Sequence, residues 1–374
     1  MSQAWIVVGM GFGDESKGAT TDALCRTLPV DLIVRHGGGG QAAHNVITPD
    51  GRHHTFSQFG SGSMANDTVR THLSRFMLVD PVSMMNEAMS LPAYNIWNRT
   101  TIDENAIIVT PIHKMINRNR EDIRDAIGEG RHGSCGMGIG VAREVEINHP
   151  ELAMRVKDLT LDQEELRHKI YKLYDFFEKE LDQVVSNRQA CMMQANAWLA
   201  QMSLFPKRII VPSMPSFECS VFEGAQGVML DEKHGTAPHN TWTNTTFENA
   251  DKLLDEAGVG DRTRIGCIRT YYTRHGAGPF PTEREGWLEK FPEPHNGTGR
   301  YQGAFRVGEF DWNLFEKAID IVGGVDLLSV SHLDRIPSVY AKPFLERIGN
   351  YAPVGMKARG ATAAHRKVEL GVYA

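Results

Sequence analysis

Apolar residues along this chain gather in short runs that stop at glycine or polar residues. Ala4–Val8, Asp31–Arg35, Ala106–Thr110, Arg208–Val211, Val221–Phe222, Ile265–Thr273 and Val325–Val330 are runs of this kind. Runs of four to eight apolar and β-branched residues read as strands buried on both faces, the habit of a parallel sheet. Helical spacing fills the gaps, at Ala19–Leu28, 81–93 and 112–127. The longest helical stretch is Thr160–Met202, where Leu166, Ile170, Leu173, Tyr174, Phe177, Leu181 and Val184 fall three and four apart. Such a stripe reads as core or dimer face. Val46–Phe56 reads as a hairpin about Pro49-Asp50-Gly51, with His53 and His54 as solvated strand residues. Strand, loop and helix alternate without repeat, low-complexity tract or linker. The expectation is therefore α/β: a single large domain over 1–374, built around a mostly parallel central sheet with flanking helices and ligand loops at the strand C-terminal ends.

Composition narrows the function classes without choosing one. The chain has 374 residues, 23% charged and 41% hydrophobic, enough for a large core. A net charge of −6 gives no reason to expect a nucleic-acid polymer or a membrane as partner. The five cysteines (25, 135, 191, 219, 267) are scattered and form no C-x-x-C, which suits reduced thiols in a cytoplasm. No apolar run approaches the ~20 residues of a membrane helix, and no leader-like segment is evident. The expected location is cytoplasmic.

The candidate chemistry sits where strands end. After Ala4–Val8 come Gly9, Gly11 and Gly13, then Asp14, Glu15, Ser16, Lys17 and Gly18, then a helix. A strand that breaks through glycines into a helix offers backbone N–H groups and a positive helix end to an anion, and Lys17 adds a charge. It is not a Walker A loop, since Ser16 and Gly18 stand where that motif needs glycine and Ser or Thr. It is not a dinucleotide fingerprint, since Asp14 takes the last glycine position. The alternative is a plain strand–helix turn with incidental glycines. A carboxylate among phosphate ligands is costly unless it binds metal or moves a proton, which singles out Asp14. Asp31–Arg35 runs into Gly37–Gly40 and then Gln41, His44 and Asn45. Gly128–Gly140 holds six glycines in thirteen residues together with Arg131, His132 and Ser134; it reads as a phosphate-wrapping loop or a disordered lid. Glu223–Gly227 and Ser331–Asp334 follow later strands. Asp14 and His44 are the natural base and acid. Neither a zinc-ligand spacing nor a nucleophile elbow is present, and magnesium is the metal that Asp14, backbone and phosphate would fit.

Gly13-Asp14-Glu15-Ser16-Lys17-Gly18 is similar to the G-D-E-G-K-G loop of adenylosuccinate synthetases. Gly38–His44 resembles their G-G-x-N-A-G-H segment, and Gly133–Gly140 their G-T-T-G-x-G-I-G. Phe222–Gly227, His234–Thr236, Asn244–Thr246 and Thr273–Glu283 match further blocks in the same order over nearly the whole chain. The resemblance implies a P-loop-related fold and an NTP-dependent C–N ligase. Such an enzyme phosphorylates the 6-oxygen of a purine mononucleotide, then displaces that phosphate with the amino group of L-aspartate. It implies that Asp14 takes the N1 proton, His44 donates to the transferring phosphoryl group, and Gln226 orients the 6-position. Gly13, Ser16, Lys17, Gly18, Asn45, His332, Asp334 and Gly355 would hold the triphosphate nucleotide. Asp14, Ser16, Gln41, Ser134, Cys135, Gln226, Thr241 and Arg274 would hold the mononucleotide. Thr298, Gly299, Arg300 and Arg306 would hold aspartate, and Asp14 with the Gly40 carbonyl would hold Mg2+. A homodimer is implied as well, with Arg143 the nearest candidate for an arginine reaching across it.

Several positions depart from the family pattern. Ser16 replaces a glycine beside the presumed base, Gln41 an asparagine and Cys135 a threonine. His332 replaces the lysine of a T-K-x-D motif that reads the guanine of GTP, although Asp334 remains, so ATP or dATP becomes the expected donor. The chain is also shorter after Asp334. This pattern resembles a phage branch of the family that converts dGMP to N6-succino-2-amino-2′-deoxyadenylate on the way to 2-aminoadenine DNA. Ser16 motivates dGMP, because a hydroxyl near C2 can accept a hydrogen bond from the 2-amino group that hypoxanthine lacks. The alternative within the family is IMP with GTP. Outside it stand a P-loop nucleotide kinase and an inactive nucleotide-binding module.

Overall fold

The computed structural model describes residues 2–182, 187–293 and 295–371. Among them ten strands form one sheet in a large α/β domain. Their order is Arg366–Val368, Val354–Ala358, Leu327–Ser331, Asp261–Arg269, Gln3–Gly9, Cys219–Glu223, Leu32–Arg35, Arg70–Leu73, Thr100–Asp103 and Ile210–Val211. Every neighbour pair is parallel except the edge strand Arg366–Val368, which runs antiparallel to Val354–Ala358. The central strands are buried along nearly their whole length, which is why they read as continuous apolar runs.

Gln3–Gly9 (β1) lies at the centre, with Val7 opposite Glu223 and Gly9 opposite Cys267. Its register carries the loops after three strands to one edge of the sheet, where ligands of open α/β sheets bind. Two of those loops cross at contact distance. The Met229 N–H donates to the Gly11 carbonyl at 3.0 Å, and a Cβ on Gly227 would stand 2.2 Å from that same oxygen. Only glycine at 227 lets both loops occupy this place. Lys17–Thr27 (α1) leaves the first loop and packs against the sheet with Thr20, Thr21, Ala23 and Leu24 buried.

The structure revises several expectations. Residues 160–202 are not one helix but Gln163–Phe176, Glu178–Asp182 and Asn187–Met202, and Val184 lies outside the described residues. The Leu166, Ile170, Leu173, Tyr174, Phe177 and Leu181 stripe packs into a core with Ile112, Ile116 and Trp198. Each such aliphatic side chain contributes about 1.5–3 kcal/mol by leaving water. Ile265–Thr273 divides into Asp261–Arg269 and a second strand, Tyr272–His275, which leaves the main sheet to pair with Phe305–Gly308. The expected hairpin forms from His44–Ile47 and His53–Phe56. His53 is exposed as expected, but His54 is largely buried, with Nε2 3.7 Å from Glu87. All five cysteines are unpaired, and no helix among the described residues is long and apolar enough to cross a membrane.

Candidate functional site

A cavity of about 1,420 Å3 opens along the C-terminal edge of the sheet. Single small-ligand pockets usually fall between roughly 300 and 1,000 Å3, so this volume suits more than one ligand. The structure brings together on its wall Gly13, Asp14, Ser16, Lys17, Gly18, Gln41, His44, Asn45, Ser134, Cys135, Gln226, Thr241, Thr298, Gly299, His332 and Asp334. They arrive from segments far apart in sequence, several of them placed by the end of a sheet strand.

His44 is the most constrained of them. Its Nδ1 lies 2.6 Å from a Glu223 carboxylate oxygen at the end of the neighbouring strand. The Ser61 N–H donates to the other oxygen at 3.0 Å, and the Ser61 hydroxyl bonds the first. Burial alone would raise the Glu223 proton affinity, but Arg35 and then His44 outweigh it and hold the carboxyl down to about 2. Burial pushes the His44 imidazole below its ordinary value against the pull of Glu223. The consistent state is a charged Glu223 accepting from a neutral imidazole, which leaves Nε2 to a ligand.

Asp14 is held differently. It adopts φ 64°, and its Oδ2 lies 2.9 Å from His275 Nε2. Burial works to raise its pKa, but the His275 hydrogen bond and charge, with Arg269 and Lys17, bring it below the usual carboxylate value. His275 is shifted upward, Asp14 outweighing burial. Arg269 donates to the Asp14 carbonyl at 3.3 Å and pairs with Glu293, which also accepts from the Tyr271 hydroxyl at 2.6 Å. Ser16 has φ 61° and opens α1 without a capping bond from its side chain. Lys17 is not a free charge: it is buried and paired with Glu15 at 2.9 Å, and Glu15 also accepts from the Gly13 N–H at 2.7 Å. The amide oxygens of Gln41 and Gln226 are buried without a protein partner, a state that a ligand donor would relieve. Ser134 accepts from the Asn117 amide at 2.8 Å, and burial raises the Cys135 thiol. Burial drives His332 well below its ordinary value, so its imidazole is neutral.

Other expected site residues lie off this wall. The Gly40 carbonyl accepts from the Ser57 hydroxyl at 2.7 Å, and Gly355 is buried within strand Val354–Ala358 against Leu327. Arg274 spends its guanidinium on the carbonyls of Ala277, Pro279 and His239. Arg300 and Arg306 line a separate cavity of about 420 Å3 with Arg131. There Arg306 is tied to Glu283 and to the carbonyls of Gly276 and Gly278. Arg143 is held within its own chain by Glu146, Glu232 and the Trp242 carbonyl. Sequence reasoning missed His275, Arg269, Glu293 and Arg366 on the wall, and the role of Glu223 behind it. Arg269 carried a signal, a lone charge inside an apolar run.

No group of three acidic, histidine or cysteine side chains among the described residues could cage a metal ion. Asp14 alone fits a magnesium ion that keeps most of its ligands as water and phosphate oxygens. The Gly40 carbonyl, which accepts from Ser57 with one lone pair, keeps a second one.

Residues 6–341 match the family model described as adenylosuccinate synthetase. The chain is 30% identical to the adenylosuccinate synthetase of Halothermothrix orenii over 349 residues, 88% of this chain and 77% of that protein. Its identity to that of Gloeothece citriformis is 31% over 350 residues, 88% of this chain and 73% of the relative. The fold matches the fully ligated adenylosuccinate synthetase of Plasmodium falciparum with a TM-score of 0.83, at 20% identity over 98% of this chain and 99% of that one. It also matches the succinoaminodeoxyadenylate synthetase of cyanophage S-2L, bound to dGMP and dATP as an energy donor. There the TM-score is 0.69, at 18% identity over 98% of this chain and 95% of that one.

Proposed function

The chain belongs to the adenylosuccinate synthetase family of C–N ligases, and on that footing we propose that it joins L-aspartate to the 6-position of dGMP. The product is N6-succino-2-amino-2′-deoxyadenylate, with ATP or dATP as phosphoryl donor. The carrying observation is Ser16. A non-glycine residue at φ 61° costs roughly 1–2 kcal/mol, and strain of this kind is kept where it serves a ligand. Its hydroxyl caps nothing and lies on the cavity wall two positions from Asp14. The likeness to the cyanophage protein supports the same reading.

The residues divide the work by their surroundings. Asp14 accepts the N1 proton, so the 6-oxygen can attack the γ-phosphorus while the nucleoside diphosphate leaves. The aspartate amine then adds at C6 and the 6-phosphate departs with the C–O bond. His44, fixed through Nδ1 by Glu223, turns Nε2 to the transferring group, and alignment of this kind is the main resource for phosphoryl transfer. The unsatisfied Gln226 amide oxygen is offered to an N–H of the purine, and the N–H2 of Gln41 to the mononucleotide phosphate. Magnesium, on which the family depends in general, supplies charge neutralisation at the phosphoryl oxygens. Thr298 and Gly299 reach the cavity from the aspartate loop; Arg300 and Arg306 act from the adjoining smaller one.

The test is initial-rate kinetics with dGMP, GMP and IMP at saturating aspartate and donor. We expect kcat/KM to favour dGMP, and Ser16→Gly to reduce the dGMP-to-IMP ratio at least about 10-fold by removing one hydrogen bond to the 2-amino group. Preferential turnover of IMP by the unmodified chain overturns the reading. The bacterial relatives favour that second reading, IMP with GTP.

A further inference from the structure

We propose that Arg366 is a ligand of the donor nucleotide, holding the base half of the purine nucleoside triphosphate by donating to a ring or exocyclic acceptor. This rests on the ligase reading above. The antiparallel edge strand Arg366–Val368 returns the chain beside α1, and Arg366 lines the cavity there. Its Nη1 donates to the Thr20 hydroxyl at 3.3 Å and to the Ser329 hydroxyl at 3.1 Å. Those two hydroxyls already bond each other at 2.9 Å. Among the described residues it forms no ion pair with a carboxylate. Asp22, the acid that most influences it, is held at both oxygens by Arg26.

A half-buried guanidinium whose hydrogen bonds go to hydroxyls, with no carboxylate paired to it, is a costly arrangement for structure alone. Guanidinium has five donors and no acceptor, so what completes it must supply lone pairs. Its place identifies which lone pairs. Thr20 lies about one turn into α1, beyond the helix end and Lys17 where phosphate belongs. Ser329 lies on the strand that continues into His332 and Asp334. Asp334, Gly360 and Ala361 line the same cavity, and Arg366 stands opposite Ala358, two residues before Gly360. Asp334 accepts and Arg366 donates, and a purine edge presents both an N–H donor and a ring acceptor. Neutral His332 cannot supply the cationic donor.

The full-length protein is tested as wild type, Arg366→Met and Arg366→Gln, with folding checked by thermal melting. Arg366→Gln retains an N–H for Ser329 and carries the test if the methionine variant does not fold. ATP binding is measured by calorimetry without acceptor, and initial rates give KM for ATP, dGMP and aspartate. Inorganic triphosphate, which carries only the phosphate half, is measured as an inhibitor. We expect Kd and KM for ATP to rise at least 10-fold in Arg366→Met, with KM for dGMP and aspartate and Ki for triphosphate within 2-fold of wild type. ATP binding within 2-fold of wild type overturns the proposal. Parallel weakening of triphosphate overturns it too, by making Arg366 a phosphate ligand. Because calorimetry needs no turnover, a wild-type protein without aspartate-dependent activity strikes the ligase reading alone.

Discussion

Two histidine–carboxylate pairs serve one cavity and are built in opposite ways. In His44–Glu223 the side chains are 8% and 0% exposed, and the carboxylate is bonded by His44 and twice by Ser61, with Arg35 setting its charge. In His275–Asp14 both are 26% exposed, joined by one 2.9 Å contact, on an aspartate whose backbone sits at φ 64°. The buried pair cannot turn without stranding several polar groups, so it fixes an imidazole. The open pair can part at the loss of one hydrogen bond. Fixity suits a group that aligns a phosphoryl transfer; release suits a base that must give up one partner to accept a proton.

The comparison is tested hardest at Asp14. Asn tolerates positive φ and matches the shape, so Asp14→Asn keeps the backbone while removing the base and the charge that faces His275 and would face magnesium. Turnover should fall about 10^3-fold or more, the range general bases contribute at its upper end, while dGMP affinity stays within a few-fold. Steady-state rates with calorimetric dGMP binding decide it; a kcat within 10-fold of wild type removes Asp14 from the chemistry.

Glu223→Gln probes the fixed pair. It removes the negative charge that Arg35 and His44 stabilise, and it loosens His44, for which we expect kcat about 10- to 100-fold lower. The pH dependence has a definite sign. The folded carboxyl is held down to about 2, below its ordinary value of 4.5. Its stabilisation is therefore complete above pH 4.5 and is lost as pH falls towards 2. The span corresponds to about 3 kcal/mol by linkage. Denaturant unfolding followed from pH 6 to 3 should show wild type losing stability more steeply than Glu223→Gln. Equal slopes would mean that the buried carboxylate is not charged.

Much of this was legible in the sequence because it is local. A strand that ends in Gly-x-Gly-x-Gly and restarts as a helix announces an anion loop, and successive strand ends of that type converge by the geometry of a parallel sheet. What was illegible is where a side chain points once it arrives. Arg274 and His275 are adjacent in one strand and alternate in face: the arginine goes into a loop staple, the histidine to Asp14. Gly40 stands beside Gln41 yet turns its carbonyl to Ser57. Glu223 was visible as the first residue of a glycine block, but its partner is 179 positions away. The division of residues 160–202 into separate helices was hidden because the apolar stripe continues through Phe177, where the first helix ends.

The smallest effect is expected at His275, and it bears most directly on the open pair. A partly exposed pair contributes little to stability, so His275→Phe should change the unfolding free energy by less than about 1 kcal/mol. Its consequence lies in protonation. His275 is the strongest of the influences that lower the Asp14 pKa, while burial works to raise it. Removing the histidine leaves burial less opposed, so Asp14 takes up its proton at higher pH. The acid limb of kcat/KM should then move to higher pH relative to wild type, with a loss of about 10-fold or less at the optimum. His275→Gln, which keeps an N–H donor without charge, should fall between the two. If all three proteins share one acid limb, His275 does not touch the ionised base during turnover, and the open pair belongs only to the unliganded state.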